Sequence, residues 1–224
     1  METPEIDRTT SRRDLIRRSA VLGVGAWVTP VVIESLASPA GALTVCCGGP
    51  DLRITTPTGS NGWALSYTSS QWAGSSPPIG VVGSYTSDCN NPLTPVAAEG
   101  NGVFLVRDDP NTSAAVTARY CKTVTLCAGV KYTFTFRVRS LGSNPRDQQL
   151  QVTINGTPLT LAPLGTTTLS ASAFATCTLQ ALAPTFTPPT NGPYTFCFVH
   201  TVPPSGRSNV SDDIGETGVV ITCA

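Results

Sequence analysis

What this 224-residue chain has little of narrows its chemistry first. Charged residues make up 12% of it, and 14 cations are matched by 14 acids. So sparse and balanced a field gives no long-range attraction to nucleic acid or to an anionic membrane. Histidine is nearly absent: His200 stands alone, and no C-x-x-C pair accompanies it, so the ligand spacings of zinc or copper sites are missing. The apolar run Ser19 to Ile33 is interrupted by Gly23, Gly25 and Pro30 and closed by Glu34. It falls short of the roughly 20 apolar residues a spanning helix needs. No long helical stripe, internal repeat or charge run divides the chain beyond it. No G-x-S-x-G elbow surrounds His200, and no phosphate-cradling glycine loop precedes a helix. A glycosidase needs two facing carboxylates. Beyond the leader the glutamates are Glu99 and Glu216, and neither they nor the aspartates sit in a recognisable motif. The chain reads as a non-enzyme.

What is present begins with a leader. Ser11-Arg12-Arg13-Asp14-Leu15-Ile16-Arg17 resembles the twin-arginine export signal, with Leu15 where that family often has Phe and Arg17 where it often has Lys. A basic n-region, a modest apolar region and the small-residue exit Ala40-Gly41-Ala42 predict cleavage after Ala42. The resemblance implies the twin-arginine machinery as a partner and a secreted, extracellular destination. An ordinary secretory signal that happens to hold an arginine pair is the alternative. A lipoprotein-type box at Leu43-Thr44-Val45-Cys46 is a further one, although Val45 is larger than that box prefers. The leader's Arg8, Arg12, Arg13, Arg17 and Arg18 are offset by Glu2, Glu5, Asp7, Asp14 and Glu34. They make no case for nucleic acid, and cleavage leaves no stable membrane span.

Residues 1–42 are therefore read as a helical signal peptide and 43–224 as one domain, long enough to bury a substantial core. All eight cysteines lie in that domain: Cys46, Cys47, Cys89, Cys121, Cys127, Cys177, Cys197 and Cys223. An even number in an exported chain reads as a disulfide framework, against metal ligation as the rival. The connectivity is left open. The adjacent Cys46 and Cys47 are expected to bond to different partners, because adjacent residues reach disulfide geometry only with strain. One of them joined to Cys223 would clip the termini together.

From Leu43 onward the pattern is that of strands: period-two alternation, many Thr and Val, and turn clusters of Gly, Pro, Asn and Ser. In GVKYTFTFRVRS, Val130, Tyr132, Phe134, Phe136 and Val138 share one face, predicted as core. Lys131, Thr133, Thr135, Arg137 and Arg139 share the other, predicted as wet. QLQVTING follows with Leu150, Val152 and Ile154 inward, and Asn155-Gly156 suits the positive φ angles of a tight hairpin. Further strands are expected at 102–108, 118–127, 193–201 and 217–223, with weaker ones near Leu52, Trp63 and Cys177. The fold class is all-β, an antiparallel two-sheet jelly-roll sandwich stapled by disulfides.

The order YCKTVTLCAGVKYTFTFRVRS, LQVTING, FTPPTNGPYTFCFVH and SDDIGETGVVIT resembles the galactose-binding-like jelly-roll domains of secreted proteins, a class that includes many carbohydrate-binding modules. That likeness implies a structural calcium held partly by acids beside the last strand, here Asp212 and Asp213. Where the family places an acidic pair after Asp-Ile-Gly-x, this chain has Thr217 and Gly218. A solvated turn is the plainer reading of Asp212-Asp213, as of Asp108-Asp109. The candidate ligand-binding residues are Trp63, Tyr67, Trp72 and Tyr85, because sugar rings dock on exposed aromatic faces. Burial of those same rings in the core is the alternative. The function expected is non-catalytic binding of a glycan or a protein surface. A secreted structural or surface-interaction protein with no small ligand is the competing class, and a hydrolase follows behind both.

Overall fold

The computed structural model describes residues 51–56, 60–68, 79–85, 92–106, 115–140, 148–171, 177–202 and 213–223. The leader positions Ser11, Arg12, Arg13, Leu15 and Ala42 lie outside the described residues, as do Cys46, Cys47, Trp72, Cys89, Asp108, Asp109 and Asp212. Among the described residues no helix is long and apolar enough to cross a membrane.

Among the described residues thirteen strands follow in chain order: β1 Ala64–Tyr67, β2 Ile79–Val82, β3 Val103–Val106, β4 Val116–Leu126, β5 Tyr132–Ser140, β6 Gln149–Ile154 and β7 Thr157–Pro158, then β8 Leu169–Ser170, β9 Leu179–Leu182, β10 Thr185–Phe186, β11 Gly192–Val202, β12 Ile214–Thr217 and β13 Val220–Cys223. They form two antiparallel sheets. One runs β1-β4-β11-β6-β7, with β8 also on β6; the other runs β10-β5-β12-β3-β2, with β9 and β13 also on β5. The all-β sandwich expected from the alternation is the architecture found.

The predicted faces of β5 are half right. Tyr132, Phe134, Phe136 and Val138 are fully buried, as the period-two pattern requires. Arg139 is not wet, and Arg137 is only half-exposed. The outer side of this sheet carries a second apolar cluster of Tyr85, Leu93, Val103 and Leu105. Arg139 is 2% exposed, and its Nε and Nη2 donate to the Cys177 carbonyl oxygen. Arg137 Nε donates to Glu99 Oε1 at 2.9 Å, and its Nη2 also reaches the Thr94 carbonyl. The 92–100 segment is thereby tied onto β5, and the outer face that local sequence marks as polar is partly covered.

The hairpin at Asn155-Gly156 is as expected, with φ of 49° and 80° at the two turn positions. The expected strand at 217–223 is broken instead. β12 and β13 both lie along one side of β5, separated by Gly218 and Val219. The chain's Leu52 bridges Val219 at the break, and Ile54 bridges Gly100. A Cβ on Gly218 would stand 2.0 Å from the Glu99 carbonyl oxygen, and one on Gly100 would stand 2.0 Å from the Ile54 carbonyl oxygen. Glycine at both positions makes the slot that admits the 52–54 segment, where Leu52 and Ile54 are buried.

Between the sheets lies an aromatic stack. Phe104 and Tyr120 have centroids 4.5 Å apart, Tyr120 and Trp63 4.7 Å, and Trp63 and Phe198 6.0 Å, all nearly parallel. Each such pair adds about 0.5–1.5 kcal/mol beyond the burial of its area.

The expected disulfides are found among the described cysteines. Cys121 on β4 and Cys197 on β11 are directly opposed in register and bonded, and Cys127, Cys177 and Cys223 are disulfide-bonded as well.

Candidate functional site

The aromatic residues proposed as sugar platforms separate into two groups. Trp63 and Tyr85 are each 3% exposed, so they are core residues and offer no face to a ligand. The reason is tertiary. Asn61, at φ 61°, turns the chain so that the Trp63 ring enters the stack against Tyr120, while its Nε1 donates to the Arg53 carbonyl at 2.9 Å. Asn61 Nδ2 binds that carbonyl and the Asp51 carboxylate. Arg53 is bidentate on Asp51, which holds that carboxyl well below its usual range. Tyr85 pairs with Leu93 and packs over the outer side of the second sheet. Tyr67 differs: at the end of edge strand β1 it is 39% exposed.

Tyr67 borders an open groove of about 350 Å³ lined by Ser66, Thr68, Thr117 and Arg119 as well. Register explains the assembly. Ser66 faces Arg119, Arg119 faces Val199, and Val199 faces Gln151, so one row crosses four strands of the first sheet on its outer side. The adjacent row on the same side holds Thr117, Thr201 and Gln149. Hydroxyls and amides therefore dominate this face. Further along it, Thr123 Oγ1 and Thr195 Oγ1 share a hydrogen bond at 3.1 Å. Among the described residues of this face Arg119 is the one charged side chain, and no hydrogen bond or ion pair holds it. Arg119 was missed among the site candidates although the alternation of β4, with Val116, Ala118 and Tyr120 buried, places it outward. What local pattern does not show is that β1 ends beside it; Tyr67 itself pairs with Ala118, so its side chain leaves the sheet on the core side and reaches the groove only at the strand edge.

A second polar cluster is closed to solvent. His200 on β11 and Glu216 on β12 come from opposite sheets, with Nε2 and Oε1 2.6 Å apart and neither side chain exposed. Gln148 Oε1 lies 3.3 Å from His200 Nδ1, and its Nε2 donates to the Val106 carbonyl. Phe104 packs edge-on against the imidazole. Burial pushes the Glu216 carboxyl above its usual range, partly opposed by the histidine. With no opening to water or substrate, this pair acts on the stability of the sandwich. Glu99 is likewise engaged, by Arg137 and by the Val96 amide.

Asp213 is buried at the start of β12, which replaces the solvated turn expected for it. Calcium takes six to eight oxygens. Among the described residues no group of three or more His, Cys, Asp or Glu side chains is placed to hold a metal, and Asp212, the other residue expected beside the calcium, lies outside the described residues.

No protein-family model and no curated protein matches the chain. Solved structures do. The enzymatically active domain of tailspike protein 4 of bacteriophage CBA120 is similar over 78% of this chain and 21% of that one, at 13% identity and TM-score 0.42. The chain thus spans about a fifth of that protein's length. The module TmCBM61, solved in complex with β-1,4-galactotriose, is similar over 79% of this chain and 99% of that one, at 12% identity and TM-score 0.37. The C-terminal family 22 carbohydrate-binding module of Clostridium thermocellum Xyn10B is similar over 80% and 95%, at 11% identity and TM-score 0.39. At these identities and TM-scores the likeness carries neither a family nor a function to this chain.

Proposed function

We propose that the chain is an exported, non-catalytic β-sandwich domain that binds a glycan in the groove between β1 and β4. One observation carries the reading: the exposed Tyr67 and the unpaired guanidinium of Arg119 with its hydroxyl neighbours line one groove at the edge of β1, Tyr67 from the core side of the strand and Arg119 from its outer side. An aromatic face takes the C–H surface of a sugar ring, and a guanidinium with neighbouring hydroxyls fixes its oxygens. Non-catalytic status is supported by the engagement of both mature-chain glutamates, Glu99 with Arg137 and Glu216 with His200 inside the core. Export is supported by the Ser11 to Arg17 motif and by the bonded cysteines, since disulfides persist in oxidising compartments.

The test is a glycan array followed by calorimetry on the disulfide-intact protein and on Tyr67→Ala. The reading expects at least one glycan ligand whose affinity falls about tenfold or more in the variant, with folding intact. Silence across the array sinks it. A second reading, a secreted structural or surface-interaction domain with no small ligand, is favoured by the burial of Trp63 and Tyr85, and it expects that silence.

A further inference from the structure

We infer that the groove selects a glycan bearing a carboxylate, that is a uronic-acid residue, with Arg119 as its partner; this rests on the glycan-binding reading above. Among the described acids, Asp51 is engaged by Arg53, Glu99 by Arg137 and Glu216 by His200, while Asp213 is buried at the start of β12. None lies on the outer face of the first sheet. Arg119 stands there among Ser66, Thr117, Gln151 and threonines, a single cation on a field of neutral donors and acceptors. Other arginines of the described chain are held: Arg53 by Asp51, Arg137 by Glu99 and the Thr94 carbonyl, and Arg139 by the Cys177 carbonyl. Arg119 keeps its donors for a ligand.

The chemistry of that group is specific. A guanidinium presents a planar fork that matches a carboxylate through two parallel N–H···O bonds, whereas a neutral sugar hydroxyl engages one donor at a time. Being exposed, the pair is screened by salt. A single cation on this face fits one anionic sugar residue per groove, with neutral neighbours lying along the row of Thr and Gln side chains.

The experiment compares polygalacturonate with its carboxyl-reduced neutral counterpart, by calorimetry at low and at high salt, for the disulfide-intact protein, Arg119→Gln and Arg119→Lys. The expected result is roughly tenfold or greater preference for the uronate polymer, narrowing as salt rises. Arg119→Gln should abolish that preference, and Arg119→Lys should reduce it by keeping the charge without the fork. The salt dependence of the unmodified protein needs no variant. Equal affinity for both polymers, or binding of the neutral one alone, overturns the inference and leaves glycan binding standing. A preference that survives Arg119→Gln overturns the assignment to Arg119. Binding of neither polymer, with neutral glycans silent on the array too, removes the underlying reading as well.

Discussion

His200 Nε2 and Glu216 Oε1 stand 2.6 Å apart, contributed by opposite sheets, and neither side chain has accessible surface. The contact joins β11 to β12 through the middle of an otherwise apolar and aromatic layer. Gln148 steadies the far side of the imidazole, and Phe104 packs edge-on against it. A polar bond so placed links the two sheets, and it makes stability sensitive to the charge of the pair.

The pH dependence follows from the direction of the Glu216 shift. Its folded pKa is raised by burial. The stability it contributes is therefore full below the ordinary glutamate value and is lost as pH rises through the folded value. Glu216→Gln removes that titration. Thermal melts of protein and variant between pH 4 and 8 should show the variant gaining on the parent as pH rises. A parent that gains on the variant over the same range contradicts the assignment.

Removing only the histidine should be severe. His200→Ala leaves a buried carboxyl without its partner, a change that typically costs about 3–5 kcal/mol. The double change His200→Leu with Glu216→Leu removes both polar groups and should cost less than His200→Ala alone. Denaturant unfolding of the three proteins measures the difference, and a double variant worse than His200→Ala would refute the reading of the pair.

Trp63 and Tyr67 should behave in opposite ways. Trp63→Ala opens a cavity in the stack and frees the Arg53 carbonyl, an effect of about 3–5 kcal/mol. Tyr67→Ala, at an exposed edge, should change stability by less than about 1 kcal/mol while weakening ligand binding. Equal loss of stability in both would place Tyr67 in the core with Trp63.

How far these features were legible in the sequence depends on their range. The alternation of Tyr132 to Val138 and the Asn155-Gly156 turn are local, and they match the strands and hairpin found. The cysteines were legible as a framework, but the Cys121–Cys197 pairing was not, because it depends on β11 lying against β4 from 76 residues away. His200 alternates with Tyr194, Phe196 and Phe198 and so falls on their buried face, yet Glu216 is delivered from the other sheet. Trp63 and Tyr85 sit in stretches that look like loops in one dimension. Their burial is decided by the Asn61 turn and by the covering of the second sheet. TGVVITC reads as one strand, and nothing local shows that Gly218 marks a slot for Leu52 and Ile54.

That slot gives a further test. Gly218→Ala would set a methyl carbon against the Glu99 carbonyl and the Ile54 amide. The backbone must shift to admit it, at a cost of at least about 2 kcal/mol. A fall in the denaturation midpoint of that size is expected, together with faster amide exchange at Ile54. An unchanged midpoint would contradict the threaded arrangement.

The cross-strand disulfide should be equally visible. Cys121 and Cys197 are separated by 76 residues, and closing a loop of that length in the unfolded chain is worth up to about 4 kcal/mol. Replacing both by Ala should lower stability towards that figure, read by thermal melting with the other bridges kept oxidised.

The most direct test of the whole account is amide chemical-shift mapping of the disulfide-intact protein as the tightest glycan from the array is titrated in. The account predicts that the shifts concentrate on Ser66, Tyr67, Thr68, Thr117 and Arg119, leaving His200 and Glu216 unmoved. Shifts concentrated on the outer side of the second sheet, or no shift with any glycan, would contradict it.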